Sequence, residues 1–302
     1  MKRQVTLILK KQPSLPVEAE SINPINVTAK SIPEIENLIL WNGKRQEKVG
    51  DYFEVRITPL AETEKDVKLD EKGIGVVSNA QGGLDKLVVQ GDLSRFKRLG
   101  QGMTAGEMVI LGSVGFHAGA LMRGGKLLIH GNAGDWLGAH MEGGQIRVEG
   151  SAGHFVGSAY RGKSKGMTGG MILIRDQAGQ MAGARMRRGL IVIGGDCGDM
   201  PGFGMLAGTI VIAGSAGIRV GAKMQRGTVI LLQPNSLLPT FYYNCTFRPP
   251  FWGLLYTYLV QEGFELPAAF KDALFRRYSG DAIEGGKGEI LICQSHSTTT
   301  MT

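Results

Sequence analysis

One short element recurs through the middle of this 302-residue chain at a nearly constant spacing. A methionine followed three residues later by a glycine occurs seven times, and successive methionines lie 19, 19, 26, 19, 19 and 19 residues apart. The seven pairs are Met103/Gly106, Met122/Gly125, Met141/Gly144, Met167/Gly170, Met186/Gly189, Met205/Gly208 and Met224/Gly227. A fixed period near 20 residues predicts a stacked array, because a unit of that size cannot bury a hydrophobic core alone.

The residues within each repeat indicate strands. Five and seven residues after each methionine both positions are apolar in all seven copies, and a spacing of two is typical of a β-strand. These pairs are Met108/Ile110, Leu127/Ile129, Ile146/Val148, Ile172/Ile174, Ile191/Ile193, Ile210/Ile212 and Val229/Leu231. The sequence therefore predicts a mainly β protein built on a parallel, right-handed β-helix of about seven glycine-rich coils of 19 residues. Leucine-rich repeats are disfavoured because no helical segment or asparagine ladder accompanies the period.

The position between each strand pair predicts a covered surface. If the flanking residues point inward, the residue six positions after each methionine points outward. Six of these seven residues are apolar, whereas a solvated face should be polar. They are Val109, Leu128, Arg147, Leu173, Val192, Val211 and Ile230. We expect either the C-terminal segment of this chain or another subunit to cover them.

The flanks of the repeat predict separate domains. Residues 1–82 alternate short apolar runs with turn residues and predict a small β-rich domain, with a boundary near residues 78–83 and the repeat over 83–233. Residues 234–294 predict an extension with helices over 251–262 and 267–277 and a strand over 288–292. The Ser/Thr-rich tail 295–302 is expected to be disordered.

Composition and charge narrow the functional class. The net charge is +7, and residues 87–231 alone hold 16 Lys/Arg against 8 Asp/Glu. Three cysteines about 48 residues apart, without a C-x-x-C motif, predict neither a disulfide framework nor a thiolate metal site. The N-terminal apolar run is too short for a signal peptide, and no window approaches 18 apolar residues. We expect a soluble cytoplasmic protein with no membrane partner.

Stacking at this period brings several catalytic candidates together. His130, Glu149 and Arg175 share one offset, where an outward ladder of paired charges is favoured over an acid–base or metal site, because the ligand set is incomplete. Asp135 and His154 share another offset, and with no serine or cysteine beside them we expect a surface hydrogen-bonded pair. No catalytic residue and no metal site is predicted on this chain.

Other columns are expected to be structural. The next offset carries residues that we interpret as packing: His117, Trp136, Phe155, Met181 and Met200. His140 has no carboxylate neighbour and is also interpreted as structural, as is the methionine column. The glycine pairs at 112–115 and 195–198 lack the following helix that a phosphate-binding loop needs, so nucleotide binding is rejected.

The seven-residue insertion at 160–166 is the one local departure from the period. It carries Arg161, Lys163 and Lys165 with no acidic residue, which is typical of a solvated loop or of an anion or partner contact. Nucleic acid is not an expected partner, because the aromatic interleaving of a single-strand platform is missing. These three side chains are the candidate polyanion contacts.

The repeats resemble a known family. Coils such as 146–153 (IRVEGSAG) are similar to the glycine-rich β-helix of the C subunit of formylmethanofuran dehydrogenase, and also to the C-terminal domain of the glutamate synthase large subunit. The flanking segments favour the first. GDYFEV at 50–55, CTFRPPF at 245–251, RYSGD at 277–281 and GEIL at 288–291 resemble the bacterial version of that protein.

The resemblance implies a place in an enzyme complex of one-carbon metabolism. Bacterial members belong to a formyltransferase/hydrolase complex that moves a formyl group from formyl-tetrahydromethanopterin to a methanofuran-type carrier and releases formate. It implies a scaffold subunit without its own cofactor, with formyltransferase, zinc amidohydrolase-like and dehydrogenase-like subunits as partners. The C subunit of a molybdenum or tungsten formylmethanofuran dehydrogenase and a glutamate-synthase-type coupling domain are the alternatives. An independent β-helix lyase or acyltransferase is disfavoured by the few acidic residues.

Overall fold

A computed structural model describes residues 3–59 and 86–294 of the chain. Its first part contains β1 (Arg3–Leu9), β2 (Val17–Glu18), α1 (Pro24–Val27), α2 (Ile32–Glu36), β3 (Ile39–Asn42), β4 (Arg45–Lys48), α3 (Val49–Tyr52) and β5 (Phe53–Pro59). Its middle contains β6 (Lys86–Gln90), β7 (Phe96–Lys97), β8 (Glu107–Leu111), β9 (Lys126–Ile129), β10 (Gln145–Val148), β11 (Met171–Ile174), β12 (Leu190–Ile193), β13 (Thr209–Ile212) and β14 (Thr228–Leu231). The last part contains β15 (Tyr242–Phe247), α4 (Pro250–Gln261), β16 (Phe275–Gly280), β17 (Gly288–Cys293) and 3₁₀ turns at Ala268–Phe270 and Ala282–Glu284. The expected boundary near residues 78–83 and the tail 295–302 lie outside the described residues.

The strands of the middle part stack in parallel and in register. Strands β8 to β14 pair in chain order, so that Met108 lies beside Leu127, Leu127 beside Ile146 and Ile146 beside Ile172. A second line of isolated parallel bridges links one residue of each coil, as between Ala133 and Ala152. Residues one repeat apart are therefore neighbours in space, as the period predicts, and the stack is consistent with a β-helix-like fold. The seven extra residues before β11 leave the register unchanged.

The methionine and glycine of the repeat have complementary shapes. All seven methionines of the repeat are fully buried in the interior of the stack. The methyl carbon of Met167 lies 2.7 Å from the position that a Cβ on Gly189 would take, and that of Met205 lies 2.9 Å from the same position on Gly227. The same contact with a methionine of the coil before is found at Gly125, Gly170 and Gly208, so the absence of a side chain at these glycines leaves room for the methionine. This contact explains physically why the two residues recur together.

The C-terminal segment covers the later part of the outward apolar column. Val109 and Leu128, at its start, do not belong to the core formed there. Leu173, Val192, Val211 and Ile230 are buried, and they form a second core with aromatic and aliphatic side chains of the C-terminal part. That covering layer includes Trp252, Tyr256, Leu259, Phe264 and Phe275. Helix α4 begins with Pro250 at its first turn, where a missing backbone N–H costs no hydrogen bond. Of the two expected occupants of this face, the structure identifies the C-terminal segment.

One C-terminal prediction is wrong. The sequence predicted a second helix over residues 267–277, but only a 3₁₀ turn at Ala268–Phe270 forms there, and Phe275 begins β16. Strand β16 pairs antiparallel with β17, and Phe275 is fully buried in the second core. This tertiary pairing outweighs the local helical propensity of the segment. The first predicted helix and the final strand are present as α4 and β17.

Both ends of the stack are closed by strands of the flanking segments. At one end β1 pairs in parallel with β6 and antiparallel with β5, and at the other β17 pairs in parallel with β14 and antiparallel with β16. The resulting sheet has 13 strands, in the order β15-β16-β17-β14-β13-β12-β11-β10-β9-β8-β6-β1-β5. A smaller sheet, β4-β3-β2-β7, completes the β-rich N-terminal part. Three short helices in that part were not predicted.

Candidate functional site

One corner of the stack presents large side chains on a left-handed backbone. At one position that recurs along the stack φ lies between 56° and 64° for seven residues. These residues are Arg98, His117, Trp136, Phe155, Met181, Met200 and Arg219. The left-handed conformation costs an L-residue about 1–2 kcal/mol, so a column of bulky residues there is unfavourable for the backbone. Burial and stacking of the side chains must offset that cost.

The aromatic members of this column stack on one another. The rings of Trp136 and Phe155 lie 4.4 Å apart with planes 10° from parallel, and His117 stacks on the other side of Trp136 at 6.4 Å. Tyr160, the first residue of the insertion, tilts over Trp136 with ring centroids 5.0 Å apart. The column that the sequence assigned to packing is therefore a half-buried aromatic surface, and the inserted loop begins on it.

Two histidines hold Tyr160 in place. Its hydroxyl and Nδ1 of His117 share a 3.0 Å hydrogen bond, and its backbone N–H donates to Nε2 of His140 at 2.9 Å. Nε2 of His140 can accept this hydrogen bond only when it carries no proton. His140, interpreted from sequence as structural, thus positions the first residue of the basic loop.

The surroundings of these histidines favour their neutral form. Burial lowers the pKa of His140, and the charge of Lys163 lowers it further. Burial also lowers the pKa of His117, with the charges of Arg98 and Lys97 acting in the same direction. Because His140 accepts a hydrogen bond in its neutral form, the lowered pKa and the geometry are mutually consistent.

A cavity of about 330 Å³ opens beside this aromatic surface. Trp136, Phe155, Met181 and Phe203 supply ring and thioether surface, and Arg161 and Arg185 supply positive charge. Such a cavity suits an apolar or planar group that carries a negative charge. The described residues that line it include no acid–base pair of catalytic type.

The three predicted cations are spread along the loop. Arg161, Lys163 and Lys165 are exposed, and within the described ranges none of them forms an ion pair. Arg161 lines the cavity, whereas Lys163 and Lys165 lie beyond it. The backbone oxygen of Lys163 accepts a 2.7 Å hydrogen bond from Nη1 of Arg185, which ties the loop to the next coil. The loop therefore presents positive side chains without ion-pair partners in the described ranges, while its backbone is held by Arg185.

The first catalytic candidate is an ion-pair network, with one difference from the prediction. Glu149 pairs with Arg147 on its own coil and with Arg175 on the next coil, at 3.3 Å for the second pair. The predicted contact with His130 on the other side is not formed, and His130 is exposed. Hydrogen bonding from Arg147 lowers the pKa of Glu149 despite partial burial. A carboxylate held ionised in this way is a structural anchor rather than a general acid.

The second candidate pair is joined through the backbone. Oδ1 of Asp135 accepts a 2.8 Å hydrogen bond from the backbone N–H of His154, not from its ring. The ring Nδ1 of His154 accepts from the backbone N–H of Gln180 on the following coil. The two residues are neighbours, as expected, but the imidazole does not face the carboxylate. This arrangement braces adjacent coils and does not orient a general base.

The described part of the chain contains neither a cluster of three metal-ligating side chains nor a membrane-spanning helix. No group of three or more His, Cys, Asp or Glu side chains is arranged there to hold a metal ion. Among the helices of residues 3–59 and 86–294, none is long and apolar enough to cross a bilayer.

Comparison with known proteins assigns the chain to a family. No family model matches it. The C subunit of the tungsten-containing formylmethanofuran dehydrogenase 2 of Methanothermobacter wolfeii is 35% identical over 117 residues, or 39% of this chain. A protein in the X-ray structure of the formyltransferase/hydrolase complex from Methylorubrum extorquens, solved with methylofuran, aligns with a TM-score of 0.82 and 33% identity. That alignment covers 96% of this chain and 100% of the other. This chain belongs to the family of formylmethanofuran dehydrogenase C subunits.

The curated members of the C-subunit family are matched over a limited region. The match spans 36% of the length of the Methanothermobacter wolfeii protein. The C subunit of the molybdenum-containing formylmethanofuran dehydrogenase 1 of Methanosarcina barkeri is 37% identical over 114 residues, and 32% of its length is covered. This chain therefore spans about a third of these relatives, whereas it spans the whole of the Methylorubrum protein.

One contact of this C-subunit family member was not predicted from the sequence. Arg147 interrupts the outward apolar column, and one of its guanidinium nitrogens donates to the backbone oxygen of Glu262 at the end of α4. Nε2 of Gln145 donates to the Glu262 carboxylate at 2.8 Å. A cation at the C-terminal end of a helix is favourable because the last carbonyls are unpaired. Arg147 is the only charged residue among the seven of that column, and this exception in the sequence could have indicated a polar contact there.

Proposed function

We propose that this chain is the C subunit of a formyltransferase/hydrolase complex in the cytoplasm, acting in tetrahydromethanopterin- and methanofuran-linked one-carbon metabolism from formaldehyde to formate. Its role is to hold other subunits in place: a formyltransferase, a zinc amidohydrolase-like subunit and a dehydrogenase-like subunit. The likeness to the Methylorubrum protein over 96% of this chain is the observation that carries the proposal. Nucleic acid and membranes are not among the proposed partners.

The scaffold is proposed to be a right-handed parallel β-helix of about seven glycine-rich coils of 19 residues. The in-register pairing of β8 to β14 and the second line of single bridges support this description. A rod of this kind suits a scaffold, because each coil contacts its neighbours and leaves long faces open to partners.

A molybdenum- or tungsten-dependent formylmethanofuran dehydrogenase is the second candidate host complex. The curated relatives from Methanothermobacter wolfeii and Methanosarcina barkeri are subunits of such enzymes by name. The likeness to them extends over 39% and 38% of this chain, whereas the likeness to the Methylorubrum protein extends over 96%. This difference favours the formyltransferase/hydrolase complex. No observation favours a glutamate-synthase-type coupling domain.

Affinity purification of the tagged full-length chain from its native cell tests the scaffold role. We expect formyltransferase and amidohydrolase-like polypeptides to co-purify, with zinc present and molybdenum and tungsten absent by elemental analysis. Molybdenum or tungsten in stoichiometric amount would assign the chain to the second candidate complex. A monodisperse single polypeptide that catalyses formyl transfer or hydrolysis alone would refute the scaffold role.

We also propose that Arg161, Lys163 and Lys165 contact the anionic part of a methanofuran-type carrier, with no other cofactor on this chain. Their exposure, their lack of ion pairs in the described ranges and the adjoining aromatic cavity support this role. A carrier with glutamate carboxylates, as the family resemblance implies, would be attracted by this field. Nucleic acid was not expected from the sequence for want of aromatic residues, yet aromatic rings from other coils do lie beside the loop.

Charge reversal on the loop tests the carrier contact. In the complex, Arg161→Glu/Lys163→Glu/Lys165→Glu is expected to raise the KM for the carrier by about tenfold at low salt while leaving kcat unchanged. Ser164→Ala on the same loop is the matched control and should leave KM unchanged. An unchanged KM in the triple variant would contradict the carrier contact. If the unsubstituted complex bound a single-stranded oligonucleotide and the triple variant did not, with KM unchanged, the loop would be assigned to nucleic acid instead.

A further inference from the structure

A second cluster of cations lies outside the inserted loop. Arg187, Arg188 and Arg226 line a cleft of about 430 Å³. Leu206, Ala207 and Gln225 complete its lining. The three arginines are exposed, and none of them belongs to the proposed carrier contact.

The cluster is built from three successive coils. The backbone N–H groups of Arg187, Leu206 and Gln225 each donate to the oxygen of the repeat methionine one coil before, at 2.8, 2.7 and 2.8 Å. Because parallel strands lie about 4.8 Å apart, Arg187 and Gln225 are separated by about 10 Å along the stack. Arg226, the next residue after Gln225, is at the same level. The coil backbone therefore holds the Cα atoms of the arginines at two levels, with an apolar level between them.

The positive charge of this cleft is not neutralised within the described residues. Arg187, Arg188 and Arg226 form no ion pair there, whereas other arginines of the stack do. Arg123 pairs with Glu142 at 3.2 Å, and Arg175 pairs with Glu149 at 3.3 Å. Like charges gathered in a concave site raise the local potential and favour an anionic occupant.

We propose that this cleft is the docking site for an acidic segment of a partner polypeptide. Two carboxylates three residues apart in a polyproline II segment lie on the same face about 9 Å apart, which is close to the spacing of the two arginine levels. The backbone between them would pass over Leu206. Bidentate pairing with carboxylates is the contact for which the planar guanidinium is best suited. The proposal rests on the proposed function only in requiring that partner subunits exist.

Zero-length cross-linking in the purified complex tests this assignment. Arg187→Lys and Arg226→Lys keep the charge and place an amine in the cleft, and a carbodiimide then forms an amide with any carboxylate in contact. We expect mass spectrometry to find new cross-links, absent without the substitutions, to an Asp- or Glu-rich peptide of another polypeptide. Cross-links only to the carrier, cross-links only to a second copy of this chain, or no new cross-link would overturn the proposal.

Charge reversal gives a second readout with a matched control. In the complex, Arg187→Glu/Arg226→Glu is expected to reduce retention of the docked subunit at least about tenfold at low salt. Lys44→Glu/Arg45→Glu, at exposed positions of the N-terminal part outside both proposed contacts, changes the net charge equally and should retain it. Normal retention in the first variant would contradict the docking site while leaving the scaffold role intact. Absence of any co-purifying polypeptide in the unsubstituted protein would overturn both.

Discussion

Replacing Gly189 with alanine tests the contact between methionines and glycines of adjacent coils. Gly189 has a φ of 105°, outside the range that an alanine adopts comfortably. A Cβ there would lie 2.7 Å from the backbone oxygen of Gly170 and 2.7 Å from the methyl carbon of Met167. That oxygen accepts a 3.1 Å hydrogen bond from the backbone N–H of Leu190, so it cannot move without loosening the junction between coils.

The expected cost of Gly189→Ala has two parts. The positive φ contributes about 1–2 kcal/mol for a residue with a side chain. Forcing an extra carbon against a fixed backbone oxygen contributes about 1–3 kcal/mol. We therefore expect the free energy of unfolding to fall by about 2–5 kcal/mol. A loss of this size is a large fraction of the stability of a typical domain.

Urea unfolding followed by circular dichroism measures this loss, and Gly102→Ala supplies the control. Gly102 also has a positive φ, 65°, but no atom lies within 4 Å of its Cβ position, so only the backbone cost applies. Adding Met167→Ala to Gly189→Ala removes one of the two close contacts, so the double variant should lose less than the sum of the singles. Equal losses for Gly189→Ala and Gly102→Ala would refute the reasoning.

Three further predictions concern the polar and aromatic contacts. Arg147→Ala removes the cation beneath the end of α4 and should lower the free energy of unfolding, measured by urea titration, by about 1–3 kcal/mol. Arg123→Ala removes an exposed ion pair and should lower it by less than about 1 kcal/mol. The pKa of His140 is lowered in the folded state, so His140 of the unfolded chain binds a proton at a higher pH, near 6.5, than His140 of the folded chain. The free energy of unfolding therefore decreases as the pH falls below about 6.5. Unfolding at pH 7.5 and 5.5 should show a smaller pH dependence in His140→Gln, and an equal dependence would contradict the assignment. Phe155→Ala uncovers one face of Trp136 and should lower stability by about 1–3 kcal/mol and increase acrylamide quenching of tryptophan fluorescence, and unchanged quenching would argue against the stacked pair.

The strands of the stack could be predicted from sequence because a single periodicity fixes them. Apolar pairs such as Ile191 and Ile193 recur at a constant distance from a methionine, and they lie in strands that pair in the expected register. The apolar residue between them, Val192, correctly predicted a covered outer face. Period and polarity are local properties of the sequence, so they needed no knowledge of long-range contacts.

The remaining features depend on contacts between residues far apart in the chain. Tyr160 contacts His117 and His140 because residues of successive coils are brought together at one corner of the stack. No pattern within a single coil predicts these contacts. The segment 267–277 has the composition of a helix but is drawn into a sheet by Phe275 and by pairing with β17. Carrier contact at Arg161, Lys163 and Lys165 stays a prediction, because charge alone does not name a ligand.

The antiparallel strands at the two ends of the stack have a consequence for solubility and assembly. A parallel stack with open ends would offer its first and last rungs to another molecule of the same kind, and copies could add without limit into fibres. Here each end of the stack is extended by strands from outside the repeat. β1 and β17 are followed by β5 and β16, which run antiparallel to them. Addition of further copies to the repeat strands along the axis of the stack is thereby disfavoured.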